Sequence, residues 1–416
     1  MEFCILLAGL VLYAGYGISG FAYLILSVLI SYVLGLLTPK LKIAAWLGIA
    51  LQALILVAVK LKPVTGMEFA APLGVSYFGL RVIAYLADLL RGKYPPVKNL
   101  KNYALYISFF PAMFLGPIET YDRFRRSMAA RRWSWDLCSR GLIRILWGGM
   151  KKLVIAARAG VLIGTISASP DRYRGAYALF AMVLYSLQLY SDFSGGIDMV
   201  LGACNLLGLR FSENFDLPFR AQTVAEFWRR WHMTLGSWLR DYIYIPLGGN
   251  RKGKIRKYIN LIITFFISGL WHGVHYLLWG VFNGVFVAMG DLCKTRSRFL
   301  NRLGTGLVIS LLWAFFVWPD TGTAMRMLLS AFTVFNYGDF WNNILQLGLN
   351  GGEWIVLILG TLLMIRQENK HRYTGRFSQP AVVRRTVIIC SLALGILIFG
   401  MYGIGFDAAA FIYSQF

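Results

Sequence analysis

Apolar stretches near residues 3–39, 43–60, 69–89, 102–118, 141–167, 175–191, 197–208, 258–290, 305–318, 324–335, 354–365 and 384–403 follow one another with short polar connections. Residues 3–39, 102–118 and 258–290 contain no Asp, Glu, Lys or Arg. A membrane-spanning helix needs about 20 apolar residues, and soluble cores seldom need charge-free runs of that length. The pattern predicts an all-α polytopic membrane protein of roughly ten to twelve spans, forming a single domain over residues 1–416 with no internal repeat. The first stretch is too long for one helix, and Tyr16-Gly17-Ile18-Ser19-Gly20 is expected to divide it. Residues 102–118 lie between two basic clusters and contain Pro111 and Pro117. Crossing the bilayer there would violate the positive-inside rule, so a re-entrant segment is expected. A continuous helix over 258–290 would be about 50 Å long against a hydrocarbon core of about 30 Å. A break is expected at Ser268-Gly269 or Gly273, with His272 between them.

Composition strengthens this picture. Hydrophobic residues make up 57% of the chain and charged residues 15%, against about 25% charged in an average soluble protein. The formal charge of +23 would suggest nucleic acid in a soluble protein. Here the cations sit between apolar segments: Arg91, Lys93, Lys98 and Lys101; Arg123, Arg125, Arg126, Arg131 and Arg132; Arg251, Lys252, Lys254, Arg256 and Lys257. They read as cytoplasmic loops beside anionic lipid, a placement compatible with attracting an anionic donor, and no nucleic-acid partner is expected. Met1-Glu2 offers no basic n-region, so the first segment reads as a retained span rather than a cleaved signal. No pair among Cys4, Cys138, Cys204, Cys293 and Cys390 has metal-ligand spacing. They read as free thiols in apolar packing, and no metal site is expected.

Thr223-Val224-Ala225-Glu226 fits a capping box. Continued as a helix, it puts Trp228, Trp231, Leu235, Trp238, Leu239 and Tyr242 on one arc and Arg229, Arg230, Ser237, Arg240 and Asp241 opposite. Such a helix belongs at a membrane interface, with Glu226 pairing Arg230 at i,i+4. His232 falls in the aromatic arc, either as a hydrogen-bonded structural residue or as a second active-site residue. The loop Pro246-Leu247-Gly248-Gly249-Asn250-Arg251 follows.

The chain has four histidines. His371 sits in a charged stretch and reads as solvated. His272 has no charged neighbour for a dozen residues on either side, and a polar group placed so is a functional candidate. An imidazole suits acyl transfer, because a hydroxyl attacking a thioester must lose its proton near neutral pH. The competing reading is a histidine that locks packing by bonding a helix carbonyl. Gly273 would leave room for a substrate or backbone to approach, and His275 and Trp279 would share the face of His272 if the helix continued. Asp192 and Asp198 form the only plausible intramembrane acidic pair and read as structural partners for Tyr or Arg. Gly195-Gly196 lacks the lysine of a phosphate-binding loop.

These residues resemble the membrane-bound O-acyltransferase superfamily, in its bacterial cell-envelope branch that serves alginate O-acetylation and teichoic-acid D-alanylation. The resembling block runs from Gln188-Leu189-Tyr190-Ser191-Asp192-Phe193-Ser194-Gly195 through Glu213-Asn214-Phe215, Glu226-Phe227-Trp228-Arg229-Arg230-Trp231-His232, Trp238-Leu239-Arg240-Asp241-Tyr242 and Pro246-Leu247-Gly248-Gly249-Asn250-Arg251 to Leu270-Trp271-His272-Gly273. Ser108-Phe109-Phe110-Pro111 and Gly116-Pro117-Ile118 match upstream, so that the motif-bearing core covers about 72–290. The resemblance implies helices ringing a central funnel or tunnel, with re-entrant and interfacial helices. It puts His272 at the position of the near-invariant histidine and His232 at that of the supporting one. Trp271, Gly273, Trp228, Arg229, Arg230, Trp231, Asn250 and Asp192 stand as substrate-binding or supporting positions.

The resemblance further implies a bacterial cytoplasmic membrane location, a thioester donor on the cytoplasmic side and no permanently bound cofactor. The expected reaction is acyl transfer to a hydroxyl, acetyl from acetyl-CoA, for cell-envelope polysaccharide O-acylation, with an extracytoplasmic SGNH-type partner. D-alanyl transfer from a carrier protein is the nearest alternative. A polysaccharide or lipid transporter without acyl chemistry is an alternative of another class, and a pure scaffold for a secreted transferase is a third.

Overall fold

The computed structural model describes residues 2–66, 74–113, 115–290, 295–318, 320–374 and 382–402. The chain begins with α1 (Glu2–Gly15), α2 (Ile18–Leu37), α3 (Lys42–Thr65), α4 (Val75–Leu90), α5 (Leu100–Ile107) and α6 (Tyr121–Ala129). The middle third holds α7 (Trp135–Gly149), α8 (Ala157–Ala168), α9 (Ala176–Leu206), α10 (Val224–Arg230), α11 (Met233–Leu239), α12 (Gly253–His272) and α13 (Leu277–Met289). The last part is α14 (Arg298–Leu312), α15 (Ala314–Val317), α16 (Thr321–Thr333), α17 (Tyr337–Asn343), α18 (Gly351–Thr374) and α19 (Val382–Phe399). The protein is an all-α, multi-pass membrane protein. Among the described residues the only β contact is an isolated antiparallel bridge between Phe215 and Trp231.

Among the described residues, four stretches are helical, long and apolar enough to cross a bilayer: Ile18–Leu37, Lys42–Lys62, Arg298–Val317 (α14 with α15) and Val382–Phe399. A fifth, Tyr337–Gln346 with Gly351–Asn369, is bent by 101°. The apolar segments of the sequence therefore do not convert one for one into spans. The first divides at Gly17 as expected, where φ is +142°. The stretches 175–191 and 197–208 are one 31-residue helix, α9. The stretch 102–118 holds most of the eight-residue α5 and then a 3₁₀ turn at Phe110–Ala112, and a helix of eight residues is too short to cross at 1.5 Å per residue.

Charged groups inside the helical body need compensation in a low-dielectric interior: buried Arg81 donates to the backbone carbonyls of Tyr106, Ile107 and Ala112, and the groups around α9 form ion pairs. Between α7 and α8 the helix loosens into a π segment, Met150–Ala156. Lys151 and Lys152 on that segment face the acids of α9. Lys151 Nζ donates to Asp198 at 2.6 Å and to Ser194 at 2.8 Å, while Lys152 pairs with Asp192. Arg144 on α7 donates to Asp198 at 2.8 Å and to Glu213 at 2.6 and 2.9 Å. The expected partners of the acids are corrected accordingly: arginine holds for Asp198, but lysines, not tyrosines, complete the set. The described cysteines Cys4, Cys138, Cys204 and Cys390 are free thiols, as expected, with Cys204 buried and Cys4 and Cys390 exposed on α1 and α19. Cys293 and the side chain of His371 lie outside the described residues.

Helices in lipid associate through close packing rather than water exclusion, so small residues mark the contact. A Cβ added to Gly202 would stand 2.6 Å from the Gly141 carbonyl oxygen, and one on Gly195 2.7 Å from that of Gly148. Glycines seven apart on α7 therefore meet glycines seven apart on α9. A Cβ on Gly148 would collide with the Gly195 carbonyl, a backbone group that no rotamer change can move. Gly148→Ala is expected to destabilise the protein by about 1–3 kcal/mol through overpacking. Gly164→Ala on α8, where nothing lies within 4 Å of the new methyl, is expected to leave thermal stability in detergent unchanged or slightly raised. Equal midpoints for the two variants would refute the contact.

Candidate functional site

The buried side chains fall into two clusters. One gathers α8, α9, α10, α13 and the helices that follow, and includes Trp231, Trp279 and Trp313. The other gathers α1 to α6 with Leu235, Leu239 and Trp271. His272 lies at the seam between them, at the C-terminal end of α12, and is 8% exposed.

The chain turns back immediately after it. Gly273 has φ +146° and ψ 162°, a conformation that side-chain-bearing residues rarely adopt. A 3₁₀ turn, Val274–Tyr276, leads into α13, which returns along α12. At the contact a Cβ on Gly269 would lie 2.5 Å from the Tyr276 carbonyl oxygen, and one on Gly284 2.8 Å from Ile262 Cα. The expected break is thus at Gly273, whose backbone makes the reversal. Because the helix ends there, His275 is exposed and does not share the face of His272. Trp279 does reach it, with ring centroids 5.4 Å apart.

His232 arrives from a break that the sequence pattern did not predict. The helix capped by Thr223, whose Oγ1 accepts from Glu226 N–H at 3.1 Å, ends at Arg230. Its Glu226 reaches back to the N–H of Gln222 and pairs with Arg230 at 2.9 Å, as expected. The amphipathic arc drawn through Tyr242 fails because segment 214–216 pairs with 230–233. Asp216 N–H donates to the Arg230 carbonyl and Met233 N–H to that of Asn214, both at 2.9 Å. His232 takes φ +45°, a left-handed conformation that costs a non-glycine residue energy and that the pairing enforces. α11 then starts afresh.

The break turns the His232 ring inward. Its Nδ1 lies 3.3 Å from Asn214 Oδ1, which also accepts from the N–H and Oγ1 of Thr234 at 3.0 and 2.9 Å. Asn214 is fully buried. The Trp271 indole packs edge-on against both histidines, with centroids 4.8 Å from His272 and 6.2 Å from His232. Trp271 is held on the far side by a 3.4 Å hydrogen bond from its Nε1 to the Ser76 carbonyl.

Both imidazoles line one cavity of about 50 Å³, walled by Trp228, Trp231, Leu235, Trp279, Trp313 and Phe316, with Ser268 as a further polar group. Trp228 is fixed by a 2.9 Å hydrogen bond to Asn283 of α13. His272, His232, Trp271, Trp228 and Trp231 are therefore brought together, with Gly273 supplying the turn. Four expected site residues are not. Arg229 is exposed. Arg230 is engaged by Glu226 and Asp216. Asp192 pairs with Lys152. Asn250 is exposed before the start of α12, and the 20-residue helix Gly253–His272 puts about 29 Å of rise between Asn250 and His272. Asn214, Thr234, Trp313 and Phe316 are site residues that the sequence reading did not single out. Asn214 stood inside the matching block without a role. The aromatic run Trp313-Ala314-Phe315-Phe316-Val317-Trp318 was the available signal for the far wall.

Over residues 93–332 the chain matches the membrane-bound O-acyltransferase family. It belongs to that family. It is 35% identical over 287 residues to a protein of Pseudomonas putida named probable alginate O-acetylase, covering 67% of this chain and 58% of that one. It is 30% identical to the peptidoglycan O-acetyltransferase of Helicobacter pylori, over 63% of this chain and 57% of that one. The teichoic acid D-alanyltransferase of Streptococcus thermophilus is 28% identical over 61% of this chain and 65% of its own length. The chain thus spans a little over half the length of the acetylating relatives.

Asn214→Ala removes one acceptor shared by three groups, so a loss of about 2–4 kcal/mol is expected from the buried donors left behind. Arg229→Ala, at an exposed position, is expected to change stability by less than about 0.5 kcal/mol. Thermal unfolding of the two variants in the same detergent checks this ordering, and reversal of the order would contradict it.

Proposed function

We propose that this protein transfers a short acyl group from a thioester to a hydroxyl, with His272 as general base. The observation that carries the reading is the pairing of two imidazoles on a single cavity of about 50 Å³ deep in an aromatic shell. Space of that order takes a group of a few heavy atoms and not a fatty chain, which favours acetyl or alanyl among acyl groups. The hydroxyl oxygen attacks the thioester carbonyl and gives its proton to the His272 ring. The carbon–sulfur bond breaks, and the proton passes to the departing thiolate. The new bond is an ester. His232, tied to Asn214, orients the acyl carbonyl or the hydroxyl, and the surrounding aromatics exclude water that would hydrolyse the thioester.

The relatives named for O-acetylation favour acetyl-CoA as donor and the hydroxyls of a cell-envelope polysaccharide as final acceptor. The reading includes a cytoplasmic-membrane location and an extracytoplasmic partner of the SGNH type that completes delivery. D-alanyl transfer from a carrier protein stays as the second reading, supported by the similarity to teichoic acid D-alanyltransferases.

The test uses the full chain in liposomes with labelled acetyl-CoA and its polysaccharide partner system, and reads both free thiol and ester. His272→Ala is expected to lower turnover by about 10²–10⁴-fold, the ordinary contribution of general base catalysis. His232→Ala is expected to lower it less. Full thioester cleavage by a correctly inserted His272→Ala protein would refute the assignment. Polysaccharide movement without any thioester cleavage by the unmodified chain would favour a transporter.

A further inference from the structure

A second concave site lies away from the histidines, where the end of α6 meets the 207–213 loop. Its cavity of about 620 Å³ is lined by Arg123, Arg126, Arg132 and Arg210, with Phe211 also in its wall. This volume is within the range of small-molecule sites. The loops are tied together by Arg132 N–H donating to the Gly208 carbonyl at 3.2 Å and by Ser127 Oγ donating to that of Arg210 at 2.6 Å. Asp122 engages Arg126 at 2.6 Å. Among the described residues no salt bridge engages Arg123, Arg132 or Arg210. Four guanidiniums around one hollow repel one another, and a bound polyanion would relieve that repulsion.

Two further observations point to a soluble ligand rather than to lipid headgroups alone. Glu119, 4% exposed, lines the same cavity. Its Oε1 accepts from Ser212 N–H at 2.7 Å, while Oε2 has no donor among the described residues. A buried acceptor in an otherwise cationic wall suits a ligand that brings hydroxyl or amino donors along with its phosphates. The wall is also joined to the histidine site. Ile118 N–H donates to Thr234 Oγ1 at 3.0 Å, and Thr234 donates to the same Asn214 oxygen that holds His232. The segment that starts at Ser212 in the groove thus carries the anchor of His232 two residues later.

We propose that this groove binds the phosphate groups of a nucleotide-linked thioester donor, with Arg132 and Arg210 as principal contacts and Glu119 accepting a hydrogen bond from its sugar or base. The inference rests on the acyl-transfer reading and assigns that reaction's donor site.

The experiment measures binding of coenzyme A, dephospho-coenzyme A and pantetheine to the full chain in neutral-lipid nanodiscs. The order of affinity is expected to follow phosphate count, with coenzyme A tightest and weakened by salt. The double variant Arg132→Gln/Arg210→Gln is expected to weaken coenzyme A binding at least about tenfold and to leave pantetheine binding unchanged. With acetyl-CoA its KM rises by the same factor while kcat holds, and turnover of S-acetylpantetheine is untouched. Unchanged coenzyme A affinity in the double variant overturns the proposal. So does an absence of coenzyme A binding to the unmodified chain, or an effect of the variant confined to nanodiscs containing anionic lipid. Failure of the unmodified chain to consume any thioester sinks the acyl-transfer reading instead, and the binding measurements distinguish that outcome from failure of the groove.

Discussion

In a hydrocarbon medium two helices gain nothing by hiding apolar surface from water, so a fold there depends on how closely backbones can approach. The contact on which this site depends is between α12 and α13, where Gly269, Gly280 and Gly284 let one helix lie against the backbone of the other. That contact allows the chain to reverse at Gly273 while still among buried side chains. The reversal leaves His272 as the last residue of a helix, facing a seam between two aromatic clusters rather than a helix flank. A continuous helix through 258–290 would have carried Trp279 about ten and a half Å along the axis from His272. The fold-back instead lays Trp279 against the His272 ring.

The second histidine is positioned by an opposite device. His272 needs a glycine beside it, whereas His232 itself takes the left-handed backbone that a glycine would take without cost. The short pairing of 214–216 with 230–233 holds that strain, and strain of this kind is retained where surrounding structure over-determines it. Asn214 then joins the strained backbone, the His232 ring and Thr234 through one oxygen. The paired charges of Arg144, Lys151, Lys152, Asp192, Asp198 and Glu213 lie along the neighbouring face of α9. Each cation there has an acid on an adjoining element, so these residues hold α7, the π segment and the 207–217 loop to α9.

Much of this was legible in the sequence, and the reasons for the rest are physical. The charge-free runs announced a membrane protein. Gly17 and Gly273 announced chain breaks, because few other residues accept their backbone angles. His272 stood out by its isolation from charge. The break at His232 was not legible, since the helical periodicity around it is intact and only a pairing with residues 16–18 positions earlier interrupts it. Asn250 and Arg229 matched the motif without joining the cavity, because motif order records the family and not proximity. The far wall at Trp313 and Phe316 came from a stretch that hydropathy marks only as apolar. Lys151 and Lys152 sit in a stretch that reads as apolar, and their acids lie about 40 residues on, a separation no local pattern encodes.

With His272 as general base, the reacting carbonyl must come to the small cavity shared by the two imidazoles. The most direct measurement is an experimental structure of the full chain with a non-hydrolysable thioester analogue bound. Its carbonyl carbon is expected in the cavity bounded by Trp228, Trp279 and Phe316, with the attacking position within about 3–3.5 Å of the His272 ring nitrogen. An analogue whose acyl end is seated elsewhere, with the His272 ring still enclosed by Trp271 and Trp279, would contradict it.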